Sequence, residues 1–326
     1  MLDDLDPKDF EDTAAAVVAA CADVEGACRA TLLAEAGLLG VIAPEAVGGL
    51  DLPMRFAVPV VSAAGAGLLG YPLIETMLLA RALSRHDPDC ATQICAGTLR
   101  VTIAWSGRAE DGIVGQAPMG AEVDRVLVFQ ADGTARLIAA KAQADAAPWD
   151  VDAPAATIDC SGAQDGPLLD AATVAMLHAE ADILRSAFIL GSAQACLSQA
   201  ASYAQERVQF GRPLSAYQAL RHRLSRDALA VETLRGALTR ALATTDDFAR
   251  EALWLTAGRA GPLVAESAIQ VFGGMGFTWD VPLHRHLRQM QAQAAYGAAA
   301  DRLDALGDDL IQTAHNPWYE EATHVA

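Results

Sequence analysis

Apolar positions recur at intervals of three and four along most of the chain, the spacing that turns one stripe of a helix toward a core. In the first hundred residues this pattern predicts helices around 14–20, 31–39 and 74–83. Residues 41–50 (VIAPEAVGGL) read as a loop, because Pro44 and the Gly48-Gly49 pair interrupt the periodicity. Between about 98 and 167 the pattern changes to short strand-like runs at 99–104, 125–130 and 135–140, with turn signals at Asp111-Gly112 and Asp132-Gly133. Pro148, Pro154, Gly162 and Pro167 then mark a loop-rich exit. Helical periodicity returns in long runs at 170–205, 214–243, 246–272 and 285–313, the last broken by Asn316-Pro317. The pattern predicts a mostly α protein with a small β middle. Its units are a helical region at 1–97, an abbreviated β region at 98–167 and a helical bundle at 168–326. No repeat of 20–50 residues is visible.

At 326 residues the chain is long enough for two or three units with a real core. No apolar stretch reaches the ~18–20 residues that a membrane span requires. The longest candidate, 58–69, is broken by Pro59 and glycines. The acidic start, 1–11, resembles neither a signal nor a transit peptide, so a cytoplasmic protein is expected.

The net charge of −18 argues against nucleic acid or an anionic membrane as partner. Lys8 and Lys141 are the only lysines, yet Arg207, Arg212, Arg221, Arg223 and Arg226 fall within twenty residues. In so acidic a chain, that cluster suggests an anion such as a pyrophosphate. The alternative is a helix face paired with Glu and Asp. The six cysteines show no C-x-x-C pair and no zinc spacing, and most are expected to be small buried thiols. His284 and His286 lack a third ligand at a useful spacing, so a surface or ligand-edge role is expected and no metal site.

Gly65-Ala-Gly-Leu-Leu-Gly70 fits the G-x-G-x-x-G dinucleotide fingerprint. A functional fingerprint needs a strand before it and a helix opening within it. Pro59 and Tyr71-Pro72 stand against both, so a Rossmann unit is not expected.

The segments with the most chemical content are ERVQFGRPLSAYQ at 206–218 and QVFGGMGFTWDVPLHRHLR at 270–288. Gly211 and Pro213 are expected to end one helix and start the next, leaving Arg207 near a helix C-terminus and free to reach an anion. Tyr217 and Gln218 are expected one turn into the second helix. Gly273 and Gly274, after Gln270, permit close backbone approach. Each motif alone is an ordinary helix join; the pair together is specific.

These segments resemble the FAD-binding signatures of acyl-CoA dehydrogenases, in the right order and separation. EAGLLGVIAPEAVGGL (35–50) is similar to that family's N-terminal helix–loop, and GAEVDRVLV (120–128) to part of its β domain. The resemblance implies an N-terminal helical domain, a β-barrel-like middle domain and a C-terminal four-helix bundle. It also implies FAD as cofactor, an acyl-CoA as substrate, and FAD contacts at Arg207, Gln209, Phe210, Tyr217, Gln218, Gln270, Gly273 and Gly274. In the family much of this contact reaches the pyrophosphate and adenosine of a neighbouring subunit's FAD.

The half of the pattern that holds a subunit's own flavin ring is not retained. Where the family reads Tyr-Glu-Gly-Thr, with Glu as catalytic base, this chain reads Tyr296, Gly297, Ala298, Ala299. The following Gln position holds Asp301, and the middle-domain Thr-Glu-Pro motif is replaced around Ala104-Trp105-Ser106-Gly107. An alternative base position, used by some members, falls on Ala181, between Glu180 and Asp182. Neighbours on a helix point ~100° away. The resemblance therefore implies a subunit without a catalytic residue of its own, completing the FAD site of a paralogous partner. Bacterial α2β2 acyl-CoA dehydrogenases of steroid-CoA and other bulky acyl-CoA catabolism have this character. A self-sufficient homo-oligomer with a displaced base and a flavin-free structural pseudoenzyme are the alternatives.

Overall fold

A computed structural model describes residues 6–139, 141–162, 165–244 and 246–313. It is a mostly helical chain with a small β middle. Five helices precede the strands: α1 (Asp9–Cys21), α2 (Ala27–Glu35), α3 (Met54–Ala66), α4 (Leu73–Leu83) and α5 (Pro88–Cys95). The predicted loop at 41–50 lies within a connection of short 3-10 turns.

Helix α3 lies in the region expected to be helical and carries Pro59 inside it. A proline there removes one backbone hydrogen bond. Burial of Phe56, Ala57, Val60, Val61 and Ala64 outweighs that loss. The helix crosses α6 (Ala171–Glu206) nearly backbone to backbone. A Cβ added to Gly65 would lie 2.1 Å from the Phe188 carbonyl oxygen, and one on Gly191 1.9 Å from that of Ser62. Ser62 Oγ donates across the crossing to the Ala187 carbonyl at 3.0 Å. Gly65, the first glycine of the apparent dinucleotide fingerprint, is thus required by helix packing, with a helix where a strand would be needed.

The middle of the chain folds into two sheets. One, ordered β1-β3-β4-β7, joins β1 (Val101–Ile103), β3 (Arg125–Phe129), β4 (Ala135–Ala139) and β7 (Leu168–Leu169); β1 and β3 run parallel. The other, ordered β2-β6-β5, joins β2 (Ile113–Pro118), β5 (Ala142–Ala144) and β6 (Ala155–Asp159), with a register shift between Val114 and Ala117. The predicted runs contain β1, β3 and β4. The second sheet was not predicted: its strands are short, and β6 lies in the stretch that prolines mark as loop. Ala104, Val114, Ala117, Val126, Ile138 and Ile158, drawn from both sheets, form a small core separate from the main core of the helices.

Helix α6 opens on Asp170, whose side chain accepts from the Thr173 amide at 2.7 Å. It is followed by a two-stranded ribbon, β8 (Val208–Gln209) and β9 (Arg212–Pro213), then α7 (Gln218–Ala243), α8 (Asp247–Phe272), α9 (Leu283–Tyr296) and α10 (Ala299–Thr313). The run predicted as one helix at 285–313 is two, divided at Gly297 and Ala298, the latter at φ +50°. The Asn316-Pro317 break lies outside the described residues. His286 is buried rather than at the surface, with Nδ1 2.8 Å from Ser192 Oγ. Five of the six cysteines are buried, and Cys28 is exposed.

Candidate functional site

The two sequence segments meet at one end of the helical bundle. Tyr203, one turn before the end of α6, stacks on Phe272, the last residue of α8, with ring centroids 4.1 Å apart. Ser267 Oγ ties α8 to α7 by donating to Asp227 at 2.6 Å and accepting from Arg223 at 3.4 Å. Arg207 therefore emerges at the C-cap of α6 beside the α8 terminus that carries Gln270, Gly273 and Gly274.

Two expectations are corrected here. A hairpin turn, with Phe210 at φ +52° and Gly211 at φ +80°, separates the helices instead of a simple break. Helix α7 begins at Gln218, so Tyr217 is its N-cap and not a residue one turn inside. A 3-10 turn at Leu214–Ala216 takes up the intervening chain.

The side chains at this end face outward. Arg207, Gln209, Gln218, Gln270, Gly273 and Gly274 are exposed, and Phe210 is 93% exposed. Among the described residues, none of the five clustered arginines forms a salt bridge. Arg221 donates to the Ser215 carbonyl, and Arg212 lies over the Tyr217 ring. No side chain caps the first turn of α7. Added Cβ atoms at Gly273 and Gly274 would meet nothing within 4 Å. Free guanidinium groups, a helix N-terminus and open glycine backbone make a donor set suited to the phosphates and edge groups of a dinucleotide.

The interior region around Gly297 is filled. Gly297 has φ −95°, a conformation open to any residue, so the glycine is not there for its backbone. It is there for space: an added Cβ would lie 2.3 Å from Cζ2 and 2.7 Å from Cε2 of Trp254. Trp254 is fully buried on α8, and its indole N–H donates to the Gly297 carbonyl at 3.2 Å. Arg185, buried on α6, lies 3.8 Å from the Trp105 ring centroid and 5.9 Å from that of Trp254. Trp105 Nε1 donates to Glu75 at 2.9 Å.

Burial pushes the Glu75 carboxyl up, against the opposing Arg185 charge, and lowers Arg185 to about 10. Tyr71, Glu75, Asp150, Gln289, Gln293 and Tyr296 line a cavity of about 20 Å³, room for about one water and for no organic ligand. A separate cleft of about 590 Å³, lined by Leu255, Gly258, Ala295, Ala298, Ala299 and Asp301, runs past the Gly297 turn.

The carboxylates beside Ala181 have other partners. Asp182 is 5% exposed and takes two bonds from Arg302, at 3.0 and 2.9 Å. Arg302 also reaches Glu251 and the Gly297 carbonyl. Glu180 sits 2.7 Å from Arg81 and lines a different cleft, with Met54, Arg85 and Met176. Burial raises its carboxyl, and Arg81 lowers it.

Sequence reasoning missed Trp254, Arg185 and Glu75. Each lies in an apolar helical run where no motif marks it, and Trp254 is 43 residues from the glycine it covers. Among the described residues no cluster of potential metal ligands occurs, and no helix is long and apolar enough to cross a membrane.

Residues 175–300 match the family profile of the acyl-CoA dehydrogenase C-terminal domain. Over residues 175–300 and in its fold, the chain is similar to the acyl-CoA dehydrogenases, oxidoreductases whose members use FAD. Acyl-CoA dehydrogenase FadE27 of Mycobacterium tuberculosis is 28% identical over 333 aligned positions, covering 86% of this chain and 87% of that one. A chain of the ChsE4-ChsE5 complex, also of Mycobacterium tuberculosis, superposes with a TM-score of 0.82 at 25% identity, covering 94% of this chain and 98% of its own. The Tcur3481-Tcur3483 steroid ACAD matches in fold, with a TM-score of 0.81, 24% identity and coverage of 94% and 98%.

Proposed function

We propose that this chain is the non-catalytic subunit of a heteromeric acyl-CoA dehydrogenase. It lends the dinucleotide grip at the end of its bundle to a FAD whose ring lies in a paralogous partner. The observation that carries the reading is the contrast between the two half-sites. The outward end of the bundle offers unpaired arginine and open backbone donors, whereas the position of the family's base is filled by Trp254. Bound FAD accepts the β-hydride of the acyl-CoA in this family. In this chain Arg207 would hold the pyrophosphate, the uncapped turn at Gln218 would face it, and Gln270, Gly273 and Gly274 would border the adenosine. Neither carboxylate beside Ala181 stands free to take the α-proton: Asp182 is bound by Arg302, and Glu180 by Arg81.

The names ChsE4-ChsE5 and Tcur3481-Tcur3483 describe two-protein assemblies, which supports a heteromer here. The second name also favours a bulky acyl-CoA of the steroid class as substrate of the whole assembly.

The test is flavin stoichiometry. Co-purified with its partner, the chain is expected to give one FAD per pair of subunits. Arg207→Ala should weaken flavin retention by about 1.5–3 kcal/mol, the worth of hydrogen bonds to a charged group, with melting unchanged. Two FAD per pair, or unaltered retention in the variant, would refute the reading.

A further inference from the structure

The ribbon carrying Phe210 is held in a conformation that its own residues do not favour. Its two-residue loop places Phe210 and Gly211 both at positive φ, the geometry of a type I′ turn, where Asn-Gly is the preferred pair. A phenylalanine in the left-handed region is an outlier. With 93% of its surface exposed, Phe210 gains no packing within this chain to offset the strain. The strands have two residues each, too short to be stable as a free hairpin.

Something outside the ribbon holds it. Tyr217 Oη donates to the Gln209 carbonyl at 2.8 Å, across the base of the turn. The Arg212 guanidinium lies over the Tyr217 ring, 4.1 Å from its centroid. Leu214 N donates to the Arg207 carbonyl at 2.9 Å, so the residue proposed to grip the flavin is closed into the same unit.

We infer that Tyr217 and Arg212 are positioning residues. They lock the 208–213 ribbon so that Arg207 and Phe210 are presented, already ordered, to the FAD of the neighbouring subunit. The Tyr217 hydroxyl is used within the chain and does not itself touch the cofactor. This inference rests on the flavin-grip reading above. It adds Arg212 to the site and gives Tyr217 a different role from direct contact. Pre-ordering matters because apparent affinity falls with the fraction of molecules in the competent conformation.

Tyr217→Phe removes only the hydroxyl, and the full-length chain is the material for the test. Native-state cleavage by chymotrypsin at the Phe210–Gly211 bond, identified by fragment mass, reads ribbon opening directly. Loss of one hydrogen bond should speed that cut about threefold to tenfold, with the global melting temperature unmoved. FAD retained by the co-purified assembly should fall by a comparable factor. Arg212→Gln should act in the same direction.

An unchanged cut in Tyr217→Phe overturns the inference, whatever happens to the flavin. A faster cut with undiminished FAD, while Arg207→Ala does lower FAD, overturns the positioning role and leaves the grip reading intact. If neither variant alters FAD, both the grip reading and the inference built on it fall, although the ribbon is locked.

Discussion

The sharpest stability prediction concerns Gly297 and Trp254. In Gly297→Ala the new methyl would sit 2.3 Å from the indole, well inside the ~3.5–4.0 Å at which carbon atoms rest. The indole is fully buried and its N–H is fixed to the Gly297 carbonyl, so it has nowhere to turn. Overpacking of this kind costs about 1–3 kcal/mol. Trp254→Ala has the opposite defect, a large cavity costing about 3–5 kcal/mol, with about 1 kcal/mol more for the lost hydrogen bond. In the double variant the methyl enters space that the indole vacated. The combined loss should therefore fall short of the sum by about 2 kcal/mol. Urea denaturation of the full-length wild type, both single variants and the double variant would close this cycle. Additivity within about 0.5 kcal/mol would show that the two positions do not compete for one volume. The account of a filled site would then be wrong.

Other expectations follow from neighbouring groups. Burial pushes Asp150 up to about 6. A carboxyl with a raised folded value adds stability at low pH, fully present below about 4 and lost as pH rises through about 6. That loss is worth roughly 3 kcal/mol. Asp150→Asn can still accept from the Asp152 and Ala153 amides and should flatten the decline, as melting curves from pH 4 to 7 would reveal. Asp182→Asn should leave turnover per bound flavin within a few-fold while destabilising the chain by about 2–4 kcal/mol, because it uncouples a buried ion pair from Arg302. Glu180→Gln should likewise spare turnover. A loss of about 100-fold in either variant that stays folded and yellow would give this chain its own base. Gly191→Ala should destabilise by at least about 3 kcal/mol, since its Cβ would meet the Ser62 carbonyl oxygen at 1.9 Å and backbone cannot step aside.

The sequence made the long helices legible because each must bury a stripe over many turns, and such periodicity survives local exceptions. Helix α3 runs through Pro59 because its apolar face is clamped on α6. The second sheet was hidden from the sequence. Strands of three to six residues, with a bulge at Gln116, do not alternate long enough to rise above the Pro and Gly signals around them. The division of α9 from α10 left only a glycine and three alanines as its trace, a composition that favours helix as readily as turn.

The outward end of the bundle was readable from motifs because its chemistry depends on residues close in sequence. The filled interior was not, because it is made of residues brought together from five separate elements. A glycine at 297 says only that a carboxylate is absent. Trp254 adds that one could not be restored by a single substitution, since every other residue needs the space the indole occupies. Arg185, Trp105 and Glu75 extend the same point: a buried arginine held against aromatic rings and opposite a buried acid is a packed, electrostatically coupled core, not a pocket awaiting a ligand. Indole and guanidinium fill this part of the interior with close packing, which is why the proposed reading has the exposed surface of the chain, and not this core, meet the cofactor.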